Sequence, residues 1–296
     1  MSGIYGANIS SILNLTKGFN PITGTSPFSV SWFQFPGGEL QLTLKRNENF
    51  QYSNKVTITH RLNSSDDLIL LCLAVDSLRN QGIKEIEVFI PYFPYARQDR
   101  VNNQGEAFSL KVITSIINNL KLDRLSIFDP HSDVVTALLD NVHVLDNSKL
   151  VNYFLNHQNI NSDSKIRLVS PDAGAYKKIF KLVEKINYTS EILIGSKHRD
   201  TKTGKILKTE INASTSELDP NQVYCVIDDI CDGGATFIEL GKALQAKGAK
   251  RLMLIVSHGI FSKGFEELEK YYEKIISTDS INCQESHCIR FNEFLK

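Results

Sequence analysis

Residues 223–236 read VYCVIDDICDGGAT, and this stretch decides the fold class. It opens with an apolar run, Val223–Ile227, which has the length and composition of a buried strand. Two adjacent acidic residues follow, then Asp232 and a pair of glycines, and apolar residues at helical spacing run over Thr236–Lys247. A buried strand that passes through a glycine turn into a helix is the repeating unit of an α/β fold with a parallel sheet.

The same alternation of strand and helix recurs along the chain and indicates doubly wound domains with mostly parallel sheets. It runs twice, with a boundary near residue 150, so we predict domains at 1–150 and 151–296. The other predicted strands are Lys55–Thr59, Glu85–Ile90, Arg124–Phe128, Arg167–Ser170, Glu191–Ile194 and Arg251–Val256, and the other predicted helices are Asp66–Asn80, Phe108–Leu120 and Ala173–Ile186.

The composition is that of an ordinary globular protein. The 296 residues are 42% hydrophobic, and 33 basic side chains balance 33 acidic ones. This neutrality argues against general nucleic-acid binding, which depends on a basic surface. No apolar run approaches the ~18 residues that span a bilayer, and the N-terminus lacks the pattern of a secretory signal. We therefore expect a cytoplasmic protein that binds neither nucleic acid nor membranes.

The five cysteines are scattered along the chain. Their odd number and irregular spacing argue against a disulfide framework. Cys283 and Cys288 enclose His287, but no second Cys/His pair lies nearby in the sequence, so a zinc site is not expected there either.

The residues between the strand and the helix of the opening stretch suit a sugar phosphate. Glycines let backbone N–H groups approach a phosphate, and a helix N-terminus adds partial positive charge. Asp228 and Asp229 can bind ribose hydroxyls or a metal ion. The alternative is a plain connection with solvated acids. The predicted sugar-phosphate site consists of Asp228, Asp229, Asp232, Gly233, Gly234, Ala235 and Thr236.

A second motif follows the predicted strand Glu85–Ile90, where residues 91–100 read PYFPYARQDR. This segment resembles the signature PYxxYARQDR of the ribose-phosphate pyrophosphokinase (PRPP synthetase) family, and residues 228–236 resemble the fingerprint of the phosphoribosyltransferase fold. The resemblance implies two phosphoribosyltransferase-like domains, and it implies that Arg97, Gln98 and Asp99 contact ATP. An arginine suits polyphosphate recognition. The alternative is a loop of solvated charges.

Four further segments are similar to motifs of the family. The resemblance implies that His131, after Asp129-Pro130, holds Mg²⁺, and that Phe35 and Glu39 bind the adenine and ribose of ATP. Gly37 replaces an acid of the family's FxDGE segment. It also implies a diphosphate loop, with Asp172 on the metal, at Asp172, Ala173 and Gly174, and two catalytic cations on a mobile loop, Lys197 and Arg199. The alternative for the last segment is a solvated hairpin.

The activity implied by the resemblance is diphosphate transfer. The β,γ-diphosphate of Mg-bound ATP would move to the 1-hydroxyl of a ribose phosphate, and AMP would leave. Because the ATP site of the family is shared between subunits, the resemblance also implies a homo-oligomer, a dimer or a hexamer.

The acceptor is left open by one departure from the family pattern. Where the family has threonine in the 5-phosphate loop, this chain has Gly233. The change removes a hydroxyl donor and predicts extra space beside the phosphate. Ribose 5-phosphate and ADP-ribose are therefore both candidate acceptors, the first being favoured, and Gly233→Thr is expected to favour ribose 5-phosphate.

Two other classes of protein are less consistent with the sequence. A type I phosphoribosyltransferase would share the turn at residues 228–236 but has no use for the ATP segment at 95–100. A regulatory paralogue without activity would have lost loop cations or metal ligands, whereas His131, Asp172, Lys197 and Arg199 are all present.

Overall fold

The computed structural model describes residues 11–24, 26–47, 54–157, 166–199 and 206–295, with only the backbone for 197–199 and 206–208. It divides into two units. The first contains the described residues up to Asp146 together with the segment from Arg290, and the second is Asn147–Ile289.

The first unit is built on a five-stranded, fully parallel sheet with the order β1-β4-β5-β6-β7. An antiparallel hairpin of β2 and β3 stands apart from this sheet. The elements are β1 (Ile12–Asn14), β2 (Phe28–Gln34), β3 (Leu40–Arg46), β4 (Lys55–Thr59), α1 (Ser65–Asn80), β5 (Glu85–Ile90), α2 (Ser109–Asn119), β6 (Arg124–Phe128), α3 (Asp133–Leu138) and β7 (Val142–Leu145).

Local sequence accounts for the central elements of this unit. The predicted strands β4, β5 and β6 are confirmed with unchanged bounds, because each is a short apolar run that is buried on both faces of a parallel sheet. Ser64 caps α1 in a capping box with Asp67. The hairpin was not predicted, since its strands are largely exposed and carry no buried apolar run.

The second unit is built on a seven-stranded sheet with the order β10-β9-β8-β11-β12-β13-β14. All neighbouring strands are parallel except β9 and β10, which are antiparallel. The elements are α4 (Ser148–His157), β8 (Ile166–Ser170), α5 (Ala173–Lys185), β9 (Leu193–Arg199), β10 (Ile206–Asn212), β11 (Val223–Cys231), α6 (Ala235–Ala246), β12 (Arg251–Gly259), α7 (Glu266–Glu269), β13 (Lys274–Thr278) and β14 (Cys288–Ile289).

Three strands of this sheet extend beyond their predicted ends. We predicted that β11 ends at Ile227 and β12 at Val256, but they continue to Cys231 and Gly259 because they remain paired with each other. Similarly, β9 was predicted to end at Ile194 and continues to Arg199 because β10 returns alongside it. These extensions place on paired strands several residues that we had predicted to lie in loops.

The C-terminal segment was assigned to the wrong domain. Residues from Arg290 onward belong to the first unit, where α8 (Phe291–Phe294) lies. The ring of Phe291 packs edge-on against Phe89 and Phe128, with centroids 5.4 and 5.0 Å apart. These buried aromatic contacts give the segment a place in the first core that its sequence position does not indicate.

The sequence also missed a disulfide bond between Cys283 and Cys288, whose Cα atoms are 5.5 Å apart. The pairing is possible because the chain turns back between β13 and β14 and brings the two residues within bridging distance. His287 stacks on Phe265 and contacts Glu269. None of the helices in the described part of the chain is long and apolar enough to cross a membrane.

Candidate active site

The glycine turn between β11 and α6 has the geometry of an anion-binding site. Gly234 is the N-cap residue of α6 and has a φ of 75°, which glycine adopts without strain. A side chain at Gly234 would also come within 3.3 Å of Leu268. The first N–H groups of a helix have no partner within it, so Ala235 and Thr236 offer backbone donors to a phosphate.

Asp228 and Asp229 occupy the last part of β11 rather than a loop. Asp228 is half-buried, and its Oδ1 accepts a hydrogen bond from the Asp229 amide at 2.9 Å. Asp229 is buried, and its Oδ2 lies 2.8 Å from the ammonium group of Lys178 on α5. Asn147 lines the same small cavity as these three residues. A paired strand therefore holds both carboxylates close to the glycine turn.

Lys178 is a member of this site that the sequence analysis did not find. It lies on the helix that follows the predicted diphosphate loop, next to the buried residue Ile179. In the sequence, Lys178 is a basic residue beside the apolar stripe of an amphipathic helix, and a lysine in that position is usually solvated. Only the packing of α5 on the sheet shows that Lys178 reaches Asp229.

The predicted diphosphate loop forms the start of α5. Asp172 is the N-cap residue, and its Oδ1 accepts a hydrogen bond from the Ala175 amide at 2.9 Å. A Cβ at Gly174 would lie 3.2 Å from the same oxygen, so a glycine leaves room for the cap. Ala173 and Gly174 are exposed in the first turn. The loop therefore exposes the N-terminus of α5. One carboxylate oxygen of Asp172 is already used as the acceptor of the N-cap hydrogen bond.

The first unit brings the ATP segment close to the loop that carries His131. Arg97 and Gln98 are exposed after β5. Asp99 accepts hydrogen bonds from Arg100 Nε at 2.9 Å and from Ser132 Oγ at 2.6 Å. The Arg100 bond, helped by Ser132, holds the pKa of Asp99 below its usual range. Asp99 therefore joins two loops that follow neighbouring strands.

Asp129 shapes the loop that contains His131. It is buried and has a φ of 36°, an uncommon conformation for a residue other than glycine. Its amide bonds to the Leu145 carbonyl at 2.7 Å, so contacts with β7 maintain this geometry. Such backbone outliers cluster at functional sites. Asp129 directs the chain so that His131 is exposed at the carboxyl end of β6.

Comparison with known proteins agrees with these motifs. Residues 8–120 match the N-terminal domain of ribose phosphate pyrophosphokinase. The chain is 29% identical to the ribose-phosphate pyrophosphokinase of Mycoplasmopsis pulmonis, over 86% of this chain and 77% of that protein. It is 26% identical to that of Pyrococcus abyssi, over 73% of this chain and 72% of that protein.

These matches support the resemblance to the ribose-phosphate pyrophosphokinase family. The fold agrees as well. The crystal structure of phosphoribosylpyrophosphate synthetase from Mycobacterium smegmatis superposes with a TM-score of 0.76 at 18% identity, covering 97% of this chain and 96% of that one. The predicted α/β class with mostly parallel sheets is thereby confirmed.

In this chain, Phe35 and Glu39 both lie at the tip of the hairpin. The tip is closed by backbone hydrogen bonds from Phe35 to Glu39 and from Gly38 to Phe35, each 2.8 Å long. Phe35 is 46% exposed and contacts Phe33 edge-on. A Cβ on Gly37 would lie 2.5 Å from Glu39 Oε2. The carboxylate of Glu39 therefore occupies the space beside the position where the family has an acid.

The two predicted catalytic cations lie on a paired strand. Lys197 pairs with Thr209, and Arg199 pairs with Ile206 in the antiparallel arrangement of β9 and β10. Their side chains, and residues 200–205 that connect the strands, lie outside the described part of the structure. The family roles of Lys197 and Arg199 therefore remain predictions.

Ser132→Ala is expected to destabilise the first unit by about 1–2 kcal/mol, because Ser132 also caps α3 through the Val134 amide. Because folding lowers the pKa of Asp99, the ionised carboxylate stabilises the folded state fully at pH values above its ordinary pKa of 3.8. This stabilisation is lost as the pH falls through the lower pKa of the folded protein. The difference between the variant and the wild type should therefore shrink in acid. Urea unfolding at neutral and acidic pH measures this difference.

The matched control is Ser132→Thr, which keeps a hydroxyl for both bonds. It should unfold at nearly the wild-type urea concentration at neutral pH. If Ser132→Ala were as stable as Ser132→Thr, the link between Asp99 and α3 would contribute nothing measurable.

Proposed function

We propose that this chain is a Mg-ATP-dependent diphosphotransferase that converts ribose 5-phosphate and ATP into PRPP and AMP. The observation that carries the proposal is the pair Asp228 and Asp229 at the end of β11, beside a glycine turn that opens α6. The name ribose-phosphate pyrophosphokinase, shared by the relatives in M. pulmonis and P. abyssi, supports the same reaction.

The acceptor sugar would be bound by the second unit. Asp228 and Asp229 accept hydrogen bonds from ribose hydroxyls, and the turn Asp232–Thr236 binds the 5-phosphate through backbone N–H groups. Lys178 pairs with the buried carboxylate of Asp229 and orients it. These contacts would hold the sugar in one orientation, and positioning of this kind lowers the barrier of a displacement at phosphorus.

The ATP side of the reaction would use residues of the first unit. Arg97, Gln98 and Asp99 are proposed to contact ATP, with Phe35 and Glu39 at its adenosine end. The 1-hydroxyl attacks the β-phosphorus in line and releases its proton to water, while the bond from the β-phosphorus to the oxygen bridging the α-phosphate breaks and AMP leaves. Lys197 and Arg199 stabilise the charge that develops on the phosphate oxygens. No side chain needs to act as a strong base in this scheme.

The donor set suits a magnesium ion that arrives with ATP. In the described residues no group of three or more His, Cys, Asp or Glu side chains is arranged to hold a metal. Mg²⁺ commonly takes one or two protein ligands while substrate phosphates and water supply the rest. His131 and Asp172 are the ligands we propose. The ion would neutralise phosphate charge and polarise the β-phosphate.

ADP-ribose is the alternative acceptor, and the structure weakens the argument for it. We expected that Gly233 opens space beside the 5-phosphate. Instead, a Cβ on Gly233 would lie 3.6 Å from Lys263 Cδ and 3.8 Å from Ser262 Oγ. The second phosphate of ADP-ribose and its nucleoside would have to displace the aliphatic part of the Lys263 side chain. Ribose 5-phosphate therefore remains the favoured acceptor.

The test is to incubate the protein with Mg-ATP and either ribose 5-phosphate or ADP-ribose, and to follow AMP and the diphosphorylated sugar by mass spectrometry. PRPP and AMP in equal amounts, formed only with ribose 5-phosphate, are the expected products. AMP mainly with ADP-ribose would replace the proposed acceptor. Absence of AMP with either sugar would favour a regulatory paralogue.

The proposal includes a homo-oligomer, a dimer or a hexamer, in the cytoplasm, where ATP is available. Light scattering coupled to size-exclusion chromatography measures the mass in solution. A monomer that is fully active would contradict an ATP site shared between subunits.

A further inference from the structure

The loop after β12 is fixed against the sugar-phosphate turn. The amides of Ile260 and Phe261 both donate to the Cys231 carbonyl, at 2.8 and 3.2 Å. Ser262 Oγ donates to Asp232 Oδ1 at 2.7 Å. Three hydrogen bonds therefore hold this loop, residues 260–264, beside the turn that opens α6.

This attachment places Lys263 along the turn. A Cβ built on Gly233 would be 3.6 Å from both Cδ and Cε of Lys263, which is ordinary van der Waals contact. The ammonium group is one bond beyond Cε. Lys263 is exposed, so its ammonium group is not buried in the protein. The end of the side chain thus lies within reach of a phosphate bound at the glycine turn.

The negative charges around the turn would be stabilised by a cation at this position. Asp228, Asp229 and Asp232 all lie at the end of β11 or in the turn, and a bound phosphate would add about −1.5 to −2 charges. Lys178 pairs with Asp229. Across the segments 231–236 and 260–264, both of which the structure describes, the one cationic side chain is Lys263.

We propose that Lys263 binds the 5-phosphate of the acceptor and takes over the role of the hydroxyl that Gly233 lacks. The inference rests on the proposed function, since it assigns a residue to the same acceptor site. A charged donor binds a phosphate oxygen more strongly than a neutral hydroxyl does. Lys263 therefore favours a doubly charged terminal phosphate over the singly charged phosphate groups of ADP-ribose.

The test compares steady-state kinetics of the wild type, Lys263→Met, Lys263→Gln and Lys263→Arg. Loss of one charge-assisted hydrogen bond should raise the KM for ribose 5-phosphate about 10- to 100-fold in the Met and Gln variants. The KM for Mg-ATP should stay within about two-fold, and Lys263→Arg should recover most of the affinity. Calorimetric titration with ribose 5-phosphate measures the same loss without turnover.

The matched control is Lys250→Met, which removes an exposed lysine just before the amino end of β12, at the opposite end of the same strand. It should leave both KM values unchanged. A second comparison adds Gly233→Thr to Lys263→Met. The restored hydroxyl should lower the KM for ribose 5-phosphate relative to Lys263→Met alone.

The outcomes separate this inference from the proposed function. If the wild type makes PRPP and the Met and Gln variants keep its KM for ribose 5-phosphate, Lys263 does not bind the phosphate. If both KM values rise together, Lys263 acts on the fold and the inference is also wrong. If the wild type makes no PRPP and does not bind ribose 5-phosphate, the proposed function itself fails.

Discussion

Lys178→Met is expected to lower kcat/KM for ribose 5-phosphate by about 100-fold, because the carboxylate of Asp229 would lose its ion pair with Lys178. The side chain of Asp229 is 8% exposed and that of Lys178 is 35% exposed, so solvent compensates only part of the loss. A buried carboxylate that loses a cationic partner tends to turn toward water. In that position it would no longer accept the hydrogen bonds of the ribose hydroxyls.

Lys178 is a positioning residue in this argument, and the experiment has to separate that role from stability. Lys178→Met should raise the KM for ribose 5-phosphate while the KM for Mg-ATP changes little. The double variant Lys178→Met with Asp229→Asn should recover thermal stability, since it leaves no unpaired charge, but it should not recover activity. Lys178→Arg should retain much of the thermal stability and much of the activity.

The matched control for Lys178 is Lys181→Met, which changes an exposed lysine three positions further along α5. Its kinetics should resemble those of the wild type. If Lys178→Met kept kcat/KM within about threefold of the wild type, the ion pair would be structural only, and Asp229 would not depend on it for binding sugar.

Lys197→Ala should lower kcat by about 10²–10³-fold with little change in either KM, because positioned cations act mainly on charge that develops in the transition state. Arg199→Ala should behave in the same way. His198, which stands between them on β9, supplies the control. His198→Ala should reduce kcat far less than either neighbour does.

The form of the kinetic change distinguishes catalysis from binding at this strand. A rise in the KM for Mg-ATP with unchanged kcat would make Lys197 a ground-state contact and would contradict the catalytic role. Pre-steady-state measurement of AMP formation should show that the chemical step itself is slowed. If Lys197→Ala and His198→Ala had equal rates, the resemblance to the family's catalytic cations would not hold for this chain.

The sequence alone was sufficient for the central parallel strands of the first unit and for the motifs that follow them. Strands β4, β5 and β6 were predicted to the residue, because a short apolar run between polar segments has few alternatives once helices flank it. The sugar-phosphate turn was equally visible, since Gly234 needs a positive φ that glycine supplies. These features are determined by residues close together in the sequence, so they can be predicted from the local sequence alone.

Tertiary structure alone decided how the functional side chains are supported. Lys178 meets Asp229 across 51 positions, Ser132 meets Asp99 across 33, and Ser262 meets Asp232 across 30. Only the tertiary structure shows that β11 continues past Asp229, that Phe291 belongs to the first unit and that Cys283 and Cys288 form a disulfide bond. Each of these contacts depends on which strands pair and which helices cover them, and no local pattern of polar and apolar residues specifies that pairing.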